Sequence, residues 1–202
     1  SARSKVFEAL PTAGLPYQLA GWPEFERLMT TLVSARAIRT IREIWWDIRP
    51  HPNFGTVELR ICDGLPTLRE VAAVAALSQC LVEWMNGRLD QGLELPAQRG
   101  WVVRENKWRA ARHGVDAMLI VDDEGRLLPL RAAVGDLVEV LAPVAERLGC
   151  PDELGDVLAM AERPSYVRQR AVVAAGGSLV DVVDTLVAEL RSDDPWPARV
   201  GP

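Results

Sequence analysis

The run Ile44-Trp45-Trp46-Asp47-Ile48-Arg49-Pro50-His51-Pro52-Asn53-Phe54-Gly55-Thr56-Val57-Glu58-Leu59-Arg60-Ile61-Cys62-Asp63 holds two alternating stretches on either side of a Pro/Gly-rich loop. This pattern predicts an antiparallel hairpin with strands over 43–49 and 56–62. Successive side chains point to opposite faces of a strand. One face of the hairpin is then apolar (Ile44, Trp46, Ile48; Val57, Leu59, Ile61), and the other carries Asp47, Arg49, Glu58 and Arg60. Pairing Arg49 with Thr56 would set Asp47 opposite Glu58 and Trp45 opposite Arg60. A shift by two residues keeps the faces and changes every partner, so the register stays open.

Opposed carboxylates repel unless a proton or cation lies between them. Magnesium takes oxygen ligands and shares them with substrate phosphates, and arginines beside such an ion clamp phosphate oxygens. The polar face therefore suits phosphoryl transfer. It equally suits solvated cross-strand ion pairs, which are common, and the pattern alone favours those.

Around this hairpin the chain is ordinary in composition. Its 202 residues suffice for one sizeable domain or two small ones, with a core that needs no staples. A net charge of −5 argues against a nucleic-acid binder. The cysteines, Cys62, Cys80 and Cys150, are odd in number and far apart, so zinc-ribbon and thioredoxin motifs are excluded and reduced thiols in a cytoplasmic protein are expected. No apolar run reaches membrane-spanning length and no signal peptide opens the chain. Ser1-Ala2-Arg3-Ser4 reads as the interior of a longer protein.

Residues 1–22, rich in Pro and Gly, are expected to be irregular. Pro23 suits the first turn of a helix over 24–37, with Phe25, Leu28, Met29, Leu32 and Val33 on its apolar face. Thr67-Leu68-Arg69-Glu70 is a capping box for a helix reaching about 86 or beyond. Its run over 71–77 is apolar nearly all round and predicts burial. A basic, partly helical stretch over 101–114 ends at Gly114. A short strand over 118–121 leads into a turn at 122–125. Helices follow over 130–148, 152–161, 165–175 and 178–190, the last begun by Ser178 with Asp181. The tail after Ser192 is expected to be disordered. Few strands, placed early and not interleaved with helices, mean α+β: one clear antiparallel hairpin packed by several helices. Two or three strands make a poor sheet, a further sign of a partner segment elsewhere.

Trp45-Trp46-Asp47-Ile48-Arg49-Pro50-His51-Pro52, then Thr56-Val57-Glu58-Leu59-Arg60-Ile61-Cys62-Asp63, then Glu105-Asn106-Lys107-Trp108-Arg109-Ala110-Ala111-Arg112-His113-Gly114 resemble, in order, three motifs of the carboxylate–amine ligases of the glutamate–cysteine ligase type 2 family. His113 stands where that family more often has Tyr. Leu148-Gly149 and the region from Tyr166 to Arg170 also fit. The resemblance implies a glutamine-synthetase-like fold, an antiparallel sheet curved into a cup with helices outside. It makes residues 1–202 the C-terminal portion of a single catalytic domain: an irregular segment 1–22, a site-bearing part 23–128 and a helical part 129–202. It implies an ATP-dependent ligase that forms a γ-glutamyl phosphate and passes it to an amine such as cysteine, with Mg²⁺ or Mn²⁺. Glu58 would be a metal ligand, Arg60 would stabilise the transferring phosphoryl group and Arg49 would contact substrate or phosphate. Asn106, Arg109, Arg112, Arg3 and Trp45 would bind substrate or nucleotide.

The family's acidic Gly-x-Glu-x-Glu strand has no counterpart here. The expected partners are therefore glutamate, an amine, and the N-terminal half of the same enzyme, without which this chain would be inactive; nucleic acid and membrane are not among them. Two rivals remain: a related ligase with another amine acceptor, and a non-catalytic helical interaction module whose free hairpin edge would invite homo-oligomers.

Overall fold

A computed structural model describes residues 2–195. The fold is α+β, and each sheet among the described residues has two strands. The chain divides into two compact units: residues up to Asp63 with Arg99–Ala111, and Gly64–Gln98 with Arg112 onward.

The first unit begins with a helix where an irregular segment is expected, α1 (Ala2–Phe7), followed by the short strand β1 (Ala13–Gly14). Helix α2 (Trp22–Ser34) starts two residues earlier than its periodicity suggests, because Pro23 falls in its first turn and the Glu24 carboxylate accepts the Ala20 N–H at 2.6 Å. The expected strand over 43–49 is broken. Ile41–Glu43 form a 3₁₀ turn capped by the Thr40 hydroxyl. Strand β2 (Trp45–Trp46) turns aside to run parallel to β1. Only β3 (Ile48–His51) pairs with β4 (Thr56–Leu59) as an antiparallel hairpin.

This break has a physical consequence. Ile44 and Trp46 are buried with Phe25 and Ile38 in the unit's core. Beyond the break the burial parity inverts: Arg49 and His51 are buried, whereas Ile48, Val57, Leu59 and Ile61 are 39–56% exposed. The hairpin's apolar face is thus open, and its polar face is the sheltered one. Pro50, which has no N–H to donate, fits a strand with a single neighbour. Helix α4 (Gly100–His113) carries the basic stretch.

In the second unit Thr67 and Glu70 form the predicted cap of α3 (Leu68–Asp90). This helix is not buried all round. Ala73, Ala76 and Cys80 form the buried stripe, with Val71 and Val82 exposed. Small side chains on that stripe admit close approach of α5 (Leu130–Leu148) and α6 (Pro151–Glu162), whose Leu141, Val144, Ala145, Leu154 and Val157 complete the core. The turn over 122–125 closes a hairpin of β5 (Met118–Ile120) and β6 (Leu127–Pro129). Gly114 ends the basic helix with φ +61, and a Cβ there would overlap the Tyr166 hydroxyl, which accepts the Val115 N–H at 3.2 Å. Helices α7 (Ser165–Ala174) and α8 (Leu179–Ser192) follow, α8 with the capping box of Ser178 and Asp181. The tail expected to be disordered after Ser192 is ordered at first: Asp193 accepts the Arg69 N–H and Pro195 is buried. The rest of it lies outside the described residues.

Candidate active site

The register of the β3–β4 hairpin places Arg49 directly across from Glu58, two residues away from the pairing of Arg49 with Thr56. Asp47 therefore does not face Glu58. Its carbonyl instead accepts the N–H groups of both Arg60 (2.7 Å) and Ile61 (3.0 Å), two residues against one, as in a β-bulge. The repulsion anticipated between the carboxylates of Asp47 and Glu58 never arises, because each has its own cation.

Glu58 lies between two guanidinium groups, with Arg49 Nη2 at 2.5 Å from one oxygen and Arg60 Nη1 at 2.7 Å from the other. Burial alone would raise its pKa. Hydrogen bonding and charge from Arg49, then from Arg60, outweigh this and hold the carboxyl below its ordinary range. The two arginines differ. Arg49 is buried, and its Nη1 donates to the carbonyls of Ile41, Arg42 and Ile44. It locks the 3₁₀ turn to the hairpin and presents nothing to a ligand except through Glu58. Arg60 and Glu58 are partly open, with side chains 30% and 42% exposed.

A second ionic cluster lies beside the first. Lys107 of α4, its side chain 10% exposed, bridges Asp47 at 2.5 Å and Glu8, and Glu8 also pairs with Lys5. Burial would lower the Lys107 pKa, but hydrogen bonds and charge from Asp47 and Glu8 raise it. Lys107 stands inside the third sequence motif, yet its role was not apparent there. Nothing local marks a lysine as buried until the helix and the Asp47 turn meet.

The remaining predicted site residues lie outside the two hairpin strands. Arg3 pairs with Asp63 at 2.8 Å and donates to the carbonyls of Arg60, Ile61 and Cys62, tying α1 to the end of β4. Trp45 packs on Phe7, with ring centroids 5.4 Å apart. On α4, Arg109 pairs with Glu105 one turn earlier at 2.9 Å, Asn106 is half-buried and Arg112 is exposed in the last turn. The hairpin thus brings Arg49, Glu58 and Arg60 together.

The residues present do not by themselves fit a divalent cation. Glu58 is a single carboxylate whose two oxygens both accept from guanidinium groups, and no cluster of three or more His, Cys, Asp or Glu side chains among the described residues could hold a metal. The accessible cation of the group is Arg60, which Glu58 holds and which can turn to an incoming anion.

The model of glutamate-cysteine ligase family 2 matches residues 1–177. "Putative glutamate--cysteine ligase 2-1" of Frankia alni is 60% identical over 197 residues, which are 96% of this chain and 52% of that protein. "Putative glutamate--cysteine ligase 2" of Thermobifida fusca is 54% identical over 96% of this chain and 49% of its own length. The protein of the same name from Leifsonia xyli subsp. xyli is 48% identical over 95% and 51%. The chain spans about half the length of the curated relatives it matches.

Proposed function

The chain belongs to glutamate–cysteine ligase family 2, and on that premise we propose that it supplies the anion-handling part of an ATP-dependent carboxylate–amine ligase of the relatives' length. The observation that carries this reading is the Arg49–Glu58–Arg60 group. One arginine is fixed from behind by three backbone carbonyls. The other is held by a carboxylate but remains open to solvent.

The proposed reaction has two displacements. An oxygen of the glutamate γ-carboxylate attacks the γ-phosphorus of ATP and ADP leaves. The amine nitrogen, classically that of cysteine, then attacks the acyl carbon, phosphate leaves, and the nitrogen releases a proton to form the amide. Arg60 turns from Glu58 to the phosphoryl oxygens as their charge spreads. Arg49 is a positioning residue, keeping Glu58 and hence Arg60 aimed. Magnesium or manganese would neutralise phosphate charge. Glu58 could give one ligand to it through a lone pair its arginines leave over, and the other ligands would come from outside this chain.

The open apolar face of Ile48, Val57, Leu59 and Ile61 supports a larger, glutamine-synthetase-like sheet in the complete enzyme, and by the same reading this chain alone is inactive. No helix among the described residues is long and apolar enough to cross a membrane, and a cytoplasmic enzyme is the simplest setting for these free thiols. The test is Arg60→Ala in the complete protein, assayed by ADP release coupled to glutamate and cysteine. The expected loss is about a hundredfold or more in kcat, the scale of removing one transition-state charge contact. Activity within threefold of the parent would refute the assignment.

A further inference from the structure

The first unit contains a cleft that the ligase chemistry above does not use. Its volume is about 460 Å³, and Tyr17, Trp46, Trp108, Arg104, Lys5 and Glu8 stand around it. Helix α4 sets Arg104 and Trp108 one turn apart, so both reach the cleft from one face. Trp46 is buried and meets Tyr17 edge-on, with centroids 5.9 Å apart and planes at 89°. Tyr17 and Trp108 are large aromatic groups, 61% and 49% exposed. Exposed rings lining a concave site offer faces on which a flat ligand can stack.

The charges narrow the ligand. Glu8 is neutralised by Lys107 and Lys5, so it offers no net negative charge to an incoming cation. Arg104 is exposed and, among the described residues, has no hydrogen-bond or ion-pair partner. A guanidinium free at the mouth of an aromatic cleft calls for a planar ring that carries an anion. The volume is at the lower-middle of the range of small-molecule sites. Lys107, next in sequence to Trp108, also holds Asp47, whose carbonyl holds the Arg60 N–H. The cleft wall and Arg60 are therefore braced by the same ion cluster.

We propose that this cleft holds the heteroaromatic base of a nucleoside triphosphate against the rings of Tyr17 and Trp108, with Arg104 on an oxygen of its phosphate chain. This rests on the ligase reading and adds to it the place where the base is recognised.

The test is calorimetric titration of the complete protein with ATP and, separately, with inorganic tripolyphosphate, which has the anion and no ring. Trp108→Ala and Tyr17→Ala should each weaken ATP about tenfold, the usual loss of one base–aromatic stack. Tripolyphosphate affinity should not change, and Trp108→Phe should keep ATP within about twofold. Tyr17 is largely exposed, so its removal keeps the test valid if the Trp108 variant fails to fold. Unchanged ATP affinity in the folded variants overturns the proposal, as does a parallel loss of tripolyphosphate. Arg60→Ala separates this failure from failure of the ligase reading. If it weakens both ligands while the aromatic variants weaken neither, the base site falls and the ligase reading stands. If the parent protein binds neither ligand, both fall.

Discussion

Replacing Arg49 with Met tests whether the polar face of the hairpin is organised from behind. The side chain is 7% exposed, and Met preserves much of its stem packing. Four hydrogen bonds are lost, three to carbonyls and one to Glu58. Of the three carbonyl contacts only the one to Ile44 is fully buried, and an acceptor left unmade there costs about 1–3 kcal/mol. The contacts to Ile41 and Arg42 are partly buried, so those carbonyls can recover water. The pair with half-exposed Glu58 adds at most about 1 kcal/mol after screening. A small gain offsets these losses, because the buried Arg49 Nε has no partner. The expected destabilisation is about 2–4 kcal/mol.

Urea unfolding followed by tryptophan fluorescence measures it well, since Trp22, Trp45, Trp46, Trp101 and Trp108 all belong to the first unit. The charge gives a second readout. In the folded protein the Glu58 carboxyl is held below its ordinary range. A depressed carboxyl stabilises the fold at neutral pH, and that contribution is lost as the pH falls below about 4. In Arg49→Met, NMR titration should show the Glu58 value moving up toward the ordinary range, and the acid sensitivity due to Glu58 should shrink. A destabilisation below about 1 kcal/mol, with Glu58 titrating as before, would refute the argument.

Lys107→Met should cost about 2–4 kcal/mol at neutral pH, because Asp47 then loses its lysine partner and Glu8 keeps only Lys5; denaturation at two pH values should show the loss shrinking in acid as the carboxylates protonate, and an equal loss at both would contradict it. Arg168→Met should destabilise the second unit by about 3–5 kcal/mol, since it leaves Glu70 and Glu189, 1% and 11% exposed, unpaired; an unchanged melting curve by circular dichroism would rule this out. Alkylation by iodoacetamide should proceed from exposed Cys62 to Cys80 last, because burial and then the neighbouring Cys150 push the Cys80 thiol up to about 11; mass spectrometry showing Cys80 modified as fast as Cys62 would contradict it.

Much of the fold is visible in local chemistry. The caps at Thr67 and Ser178 announce α3 and α8, Pro23 and Gly114 punctuate their helices, and the turn at 122–125 closes its hairpin. Each depends on residues within one helical turn or one tight loop, so the determinants sit side by side in the chain. Where expectation and structure part, a distant contact decides. Ile44 to Arg49 alternate like one strand, yet Trp45 and Trp46 find better partners in Ala13 and Gly14, and the chain bends at Asp47. Helix α3 looks apolar all round, but only the stripe that meets α5 and α6 is buried.

The hairpin shows the same division. Its sequence alone determined that Arg49, Glu58 and Arg60 share a polar face, because alternation along a strand is a local rule. The partners on that face were a matter for the tertiary structure. A shift of two residues leaves the alternation intact, so only the loop, the bend at Asp47 and the carbonyls gathered around Arg49 could choose between registers. Lys107 lies 60 residues from Asp47, and Arg168 lies 98 from Glu70. A buried ion pair needs both partners brought together and withdrawn from water, and no local pattern encodes that meeting.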